Sequence, residues 1–572
     1  MNTQEYLEQF VETFMSENFV WRKGQKESIE KIIEAYDNGS KTVILSAPVG
    51  SGKSIIGMAS AWILNQKGKK GYILASDIAL QEQYEKDFKK YRFNWGSVKG
   101  IDNYLCVDNM EKNSLGTCRI RNKMPRGMYC YDSCPYFNAR DHAKESETSL
   151  LNYAYWLIMQ NYANRHLPEE EQLFPPRDFT ICDEGHKILD IVQNHYSPRF
   201  NEKTLDKLEE LTEFFKNYKI KDHSSTFQSV KLLIKALFDF ENQDELYKTL
   251  AKLEVYLENY MPSIETLKDT VKEEYPKDDP PKEWKGALRL CDWLKDFHCK
   301  IEDYVEIIYN TSTRNIVKNP AGDNDLVFNC LEENFMMNKY FHGHTGFTIL
   351  MSATFADPKA YLKSIALKTA SYIKMESTFD FSKSPIYFYN KRRMSYNQID
   401  ANLPWLNEKI NEILDNHPKE NGIIHSASYN LTMKIHQSLS SENKKRILVY
   451  EGTEEKRKVL EILKRDHNRV LIGPSLTHGL DLSNDLCRFI ITAKTPYLSL
   501  NDKFVKTKLQ INPDWYAWKA AVDVIQGIGR GVRNESDWCI TYYLDATLAD
   551  LIHKNRKSFP VEFYNRLKIV ST

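Results

Sequence analysis

The sequence predicts an α/β protein built on two doubly wound parallel sheets. Three observations predict it. An apolar, β-branched run, Thr42 to Leu45, turns through small residues into a helix-like pattern from Ser54. A short apolar run, Phe179 to Cys182, ends in the carboxylates Asp183 and Glu184. From Tyr387 onward, the strand-like runs NGIIHSASY, RILVYEG, RVLIGPS and RFIITAKTPY alternate with helical stretches.

At 572 residues the chain is too long for one hydrophobic core, so several domains are expected. Hydrophobic residues make up 42% and charged residues 27%, as in soluble globular proteins. The start, MNTQEYLEQF, has neither a basic region nor an apolar run, and no apolar stretch approaches the ~20 residues of a membrane span. An intracellular, cytoplasmic location is therefore expected, nucleoid-associated or nuclear if the source is eukaryotic. There, clustered thiols bind metal more often than they pair. With 78 basic and 78 acidic residues the net charge is zero, so any polyanion surface must be a local patch.

The stretch Ala47-Pro-Val-Gly-Ser-Gly-Lys-Ser54 fits a P-loop whose first glycine is replaced by alanine. Gly50, Ser51 and Gly52 offer backbone N–H groups to phosphates, and the following helix adds positive partial charge. Lys53 reaches the outer phosphate oxygens, and the Ser54 hydroxyl is a Mg²⁺ ligand. Asp183 and Glu184 sit at a strand's carboxyl end, where ligand chemistry gathers in parallel sheets. One carboxylate can hold Mg²⁺ while the other polarises water. Residues 105–137 hold Cys106, Cys118, Cys130 and Cys134 in a C-x11-C-x11-C-x3-C pattern followed by Pro135. Four thiolates suit Zn²⁺ or an iron–sulfur cluster, and spacing alone leaves both open. Between them lie Arg119, Arg121, Lys123 and Arg126, a patch able to track a phosphodiester backbone.

After Glu184 the texture becomes helical. Leu205, Leu208, Leu211, Phe215 and Tyr218 form one stripe, and Leu246, Leu250, Leu253, Leu257 and Tyr260 another. EEYPKDDPPKEW (273–284) reads as a linker, and Cys291 and Cys299 as packing residues.

A P-loop followed by DEGH (183–186), MSATF (351–355) and QGIGRGVR (526–533) resembles a superfamily 2 helicase of the DEAH-box kind. VKGIDNYLC (98–106), CPYFNAR (134–140) and THGLDLSNDLCRFIITAKTPY (477–497) narrow the resemblance to iron–sulfur helicases related to XPD and DinG. The resemblance implies two RecA-like domains clasping ATP and Mg²⁺, with a 4Fe–4S domain and a helical Arch-like domain inserted in the first. It implies a first RecA-like domain at 1–97, 146–194 and 336–380, a cluster domain at 98–145, an Arch-like domain at 195–335 and a second RecA-like domain at 381–572. It assigns catalytic roles to Lys53, Asp183, Glu184, His186, Gln526, Arg530 and Arg533, and nucleotide contacts to Arg22, Gln25 and Asp481 besides the P-loop. Ser352 and Thr354 resemble residues that link nucleotide to strand path, and Ser76 and Gln81 lie where that path is met. The implied activity is ATP-dependent, 5′-to-3′ translocation of a monomer on single-stranded DNA, opening forked or tailed duplexes. The box has Gly185 where the family has alanine. YLDATL carries Asp545 but lacks the arginine that often follows.

Overall fold

The structure is a computed structural model. It describes residues 2–571 apart from 17, 117–129, 166, 240–241, 276–279, 312–315, 323–324, 378–379, 451–452, 475, 477–483, 530 and 533–536. Cys118, the patch Arg119–Arg126, Asp481, Arg530 and Arg533 therefore lie outside the described residues.

Two seven-stranded sheets, parallel throughout, form the two lobes. The first contains β1 (Thr42–Ser46), β2 (Gly71–Ala75), β3 (Gly96–Ser97), β4 (Thr148–Asn152) and β5 (Arg177–Asp183). After an interruption it continues with β9 (Thr345–Ser352) and β10 (Ser371–Lys374), in the order β10-β1-β9-β5-β2-β4-β3. The P-loop strand β1 is buried along its whole length because helices cover both faces, and its run of Val, Ile and Leu reflects that. The second lobe contains β11 (Ile386–Tyr389), β12 (Gly422–His425), β13 (Ile447–Val449), β14 (Val470–Gly473), β15 (Phe489–Thr492), β16 (Ile540–Tyr543) and β17 (Leu567–Val570). Its order is β13-β14-β12-β15-β16-β11-β17.

Between β5 and β9 the chain leaves the first lobe and forms a bundle from helices Glu202–Asn217, Ser224–Asp239, Gln243–Glu258, Met261–Glu274 and Lys282–Asn310. Both leucine stripes are buried, save that Leu205 is half-buried and Tyr218 stays 39% exposed. It packs on Phe214 and Trp284 and donates to Glu283 at 2.7 Å. The bundle carries a feature its helical texture conceals. β6 (Arg199–Asn201), β7 (Ile316–Gly322) and β8 (Asp325–Cys330) form a three-stranded antiparallel sheet at its root. β6 is too short to show alternation, and β7 is interrupted by Pro320 and Gly322 at a register shift. Among the described residues no helix is long and apolar enough to cross a membrane.

Candidate functional site: the cleft between the lobes

The strand β1 releases the chain into the loop 47–52, where Gly50 and Gly52 adopt left-handed φ of 77° and 78°. At Gly52 a Cβ would lie 2.4 Å from Gln25 Nε2, so the position admits only glycine on two counts. The preceding segment is fastened to this loop. Gln25 Nε2 donates to Ser51 O at 2.8 Å, and the Arg22 guanidinium donates to the Gly50 carbonyl. Both side chains thus contact the loop backbone directly. The helix Lys53–Gln66 begins immediately, and Lys53 Nζ lies 3.4 Å from Ala47 O.

Two strands away, β5 delivers Asp183 and Glu184 to the same edge. Asp183 is buried, and Tyr84 donates to its Oδ2 at 2.9 Å while the Glu184 amide donates to Oδ1 at 2.9 Å. The Ser54 side chain lies beside the same phenol and lowers its proton affinity, so P-loop hydroxyl and strand-end carboxylate both face Tyr84. Burial, then the charge of Glu184, pushes the Asp183 carboxyl up to about 6, against the opposing pull of Lys53 and the Tyr84 hydrogen bond. Glu184 takes a left-handed φ of 53°, a strained state for a non-glycine residue and one that recurs at reaction sites. His186 Nδ1 lies 3.3 Å from Glu184 Oε2 and 2.8 Å from Ser352 Oγ. Ser352 donates to Thr354 O at 2.8 Å, and its own carbonyl accepts from the Ala47 amide at 2.9 Å. P-loop, DEGH box and SAT segment thus form one hydrogen-bonded edge.

Gly185 lies against β9. A Cβ there would approach Leu350 Cβ at 3.3 Å, tighter than ordinary contact, and Tyr361 donates to its carbonyl at 2.6 Å. Two bonded or packed neighbours therefore hold the glycine, and its lack of a side chain does not leave the box loose.

The second lobe presents the helix Pro513–Ile528, which carries buried Gln526 at its end. Gln526 Nε2 has no hydrogen-bond partner among the described residues. One residue beyond the helix, the Cβ position of Gly529 lies 3.7 Å from Val49 Cγ2. Gly529 therefore meets the P-loop across the cleft.

Other predicted positions fall elsewhere. Gln81 is fully buried and donates to Ser97, Val98 and Leu150, so it is bound into the interior. Ser76 Oγ is bonded to Asp77 at 3.0 Å. Asp545 is buried and accepts from the amides of Met394, Thr495 and Thr547, a structural knot that needs no arginine. Cys106, Cys130 and Cys134 are buried free thiols. Burial raises the Cys130 thiol, with Asp108, Cys106 and Cys134 adding to the rise, so the three sulfurs face one region. Asn113 Nδ2 points at Cys134 Sγ from 3.4 Å. A second ligand-type group, His298, Cys299 and Glu302, lies on the bundle's last helix. The Arg165 guanidinium stands 3.5 Å from Glu302 and already supplies the cation there.

Residues 18–229 match the family described as type III restriction enzyme, res subunit, and residues 410–564 match the helicase C-terminal domain. A "Probable ATP-dependent helicase" of Methanocaldococcus jannaschii is 22% identical over 93% of this chain and 92% of its own length. Among solved structures, S. tokodaii Xpd4 superposes with a TM-score of 0.61 at 15% identity, covering 96% of this chain and all of that one. A structure described as XPD helicase gives 0.61 at 16%, covering 96% and 99%. Through these matches the chain is similar to ATP-dependent helicases, with a helicase C-terminal domain in its second lobe. The fold itself, two parallel-sheet lobes with insertions in the first, is like that of the XPD structures.

Proposed function

We propose that the protein is an ATP-hydrolysing DNA helicase that moves 5′ to 3′ along single-stranded DNA as a monomer and opens forked or tailed duplexes. One observation carries the reading: Gly529, the residue before Arg530, meets the P-loop at Val49. A nucleotide held by the P-loop then lies between groups from both lobes.

In this reading Gly50, Ser51 and Gly52 wrap the phosphates, and Lys53 neutralises the outer oxygens. Ser54 and Asp183 are hard oxygen donors on either side of Tyr84, a donor set that fits Mg²⁺. Bound there, Mg²⁺ supplies charge neutralisation on the transferring phosphoryl group. Glu184 orients the attacking water, with His186 and the strained backbone fixing its carboxylate. Gln526, Arg530 and Arg533 enter from the second lobe, with Asp481 beside them, and Arg22 and Gln25 brace the loop beneath the nucleotide. An arginine supplied across an interface is worth roughly 10³–10⁵ in rate, so hydrolysis waits for closure of the lobes. Parting DNA costs about 1.4 kcal/mol per stacked step, within reach of one ATP per nucleotide advanced.

Cys106, Cys130 and Cys134, with Cys118, would hold a 4Fe–4S cluster. Buried thiols gathered around one region and an amide N–H on sulfur suit such a cluster, whose thiolates stand wider apart than those on one zinc ion. Anaerobically purified protein is expected to be brown with about four irons per chain, and Cys134→Ser to lose both iron and colour. Stoichiometric zinc in a colourless protein would replace the cluster in this account.

A strand-displacement assay on 5′-tailed and 3′-tailed duplexes tests the proposal. Unwinding of the 5′-tailed substrate alone is expected. ATP-driven removal of a bound protein without strand separation would make the chain a translocase. Nucleic-acid binding without turnover would leave a redox-sensing module.

A further inference from the structure

The helix Pro513–Ile528 belongs to the second lobe, yet its middle is anchored in the first. Trp518 is buried, and its Nε1–H donates to the carbonyl of Phe355 at 2.7 Å. Phe355 directly follows Thr354, whose carbonyl accepts from Ser352, the serine that contacts His186. A second route starts from the same indole. Trp518 packs on Tyr361 with ring centroids 5.8 Å apart, and Tyr361 donates to the carbonyl of Gly185. Both routes end on the DEGH box. Beyond Trp518 the helix runs rigidly for ten more residues to Ile528, then reaches Gly529 against Val49. A rigid helix fixed at one point on the first lobe transmits that register to its far end.

We infer that Trp518 is a positioning residue: it sets the register of the second-lobe helix on the DEGH box, and so places Gln526 at the helix end over the nucleotide. This rests on the two-lobe reading above. An indole N–H buried in this way needs an acceptor, and the SAT segment supplies it. A change at the DEGH box, where the reaction occurs, reaches the helix through Ser352 or Tyr361. The same two contacts carry movement of the helix back to the box.

Trp515 in the same helix is the matched control. It is equally buried, packs over the Lys508 ammonium at 4.3 Å, and its Nε1 reaches no acceptor among the described residues. Trp518→Phe should lower the kcat of nucleic-acid-stimulated ATP hydrolysis about tenfold while the KM for ATP stays within about twofold. Trp515→Phe should change kcat by no more than about twofold, whatever either variant does to the melting temperature. Tyr361→Phe, which removes the hydroxyl on Gly185, should lower kcat in the same sense, and the double variant with Trp518→Phe should lose less than the product of the two. Equal effects of Trp518→Phe and Trp515→Phe, or a wild-type kcat in Trp518→Phe, overturn the inference. Lys53→Ala separates the two levels. If it is inactive while Trp518→Phe is normal, only the role of Trp518 fails. If it still turns over ATP, the site reading fails.

Discussion

Replacing Lys53 with alanine lowers ATP turnover by at least about a hundredfold, as expected for a charged group aimed at a developing negative charge in a water-poor site. The side chain starts at the first residue of the P-loop helix and lies over the loop at Ala47 O, so its ammonium makes no core contact that the fold needs. The melting temperature is therefore expected to stay close to that of the wild type. Lys53 also pulls the Asp183 proton affinity down. Its removal leaves the carboxyl harder to ionise, and metal binding weakens along with phosphate binding. The variant is checked by nucleic-acid-stimulated ATPase beside nucleotide binding.

Asp183→Asn is expected to cost turnover and gain stability. Burial holds the native carboxyl near 6, above its ordinary value of 3.8, so the folded state binds the proton more tightly than the unfolded one. The sign follows: this group's contribution to stability is fully present below about pH 4 and is lost as pH rises through about 6. At pH 7.5 the metal-free protein therefore carries a destabilisation on the order of 2–3 kcal/mol. An uncharged amide removes most of it, less the weakened bonds from Tyr84 and the Glu184 amide. Without Mg²⁺, Asp183→Asn should melt a few degrees above the wild type at pH 7.5, with the gap about halved at pH 5. ATPase should fall at least about a hundredfold. Thermal melts at the two pH values check this.

The parts of the site legible in the sequence are those whose chemistry needs a fixed local order. The glycines and lysine of the P-loop, and two carboxylates closing an apolar strand, declare themselves because strand, loop and helix are consecutive. The second lobe was legible as a rhythm of apolar runs. Tyr84 was not, because in IALQEQYEKDFKKY it reads as one apolar position on the stripe with Gln81 and Phe88. Only the folded sheet shows that its hydroxyl ends between Ser54 and Asp183. Gln81, a residue expected at the strand path, is drawn into the interior by three acceptors that tertiary packing supplies. Tyr361 and Trp518 escaped notice for the same reason: their partners lie 176 and 163 residues away along the chain. Arg22 and Gln25 were expected at the base of the nucleotide, and their hydrogen bonds go to the loop that would hold its phosphates.

The claim underneath the rest is that one nucleotide is completed by two lobes. Its most direct measurement is single-turnover ATP hydrolysis by Arg530→Ala at saturating ATP, with ATP affinity measured in parallel. The account predicts a rate lower by roughly 10³-fold or more, with affinity changed only a few-fold. Hydrolysis at the wild-type rate, with that guanidinium gone, would contradict it.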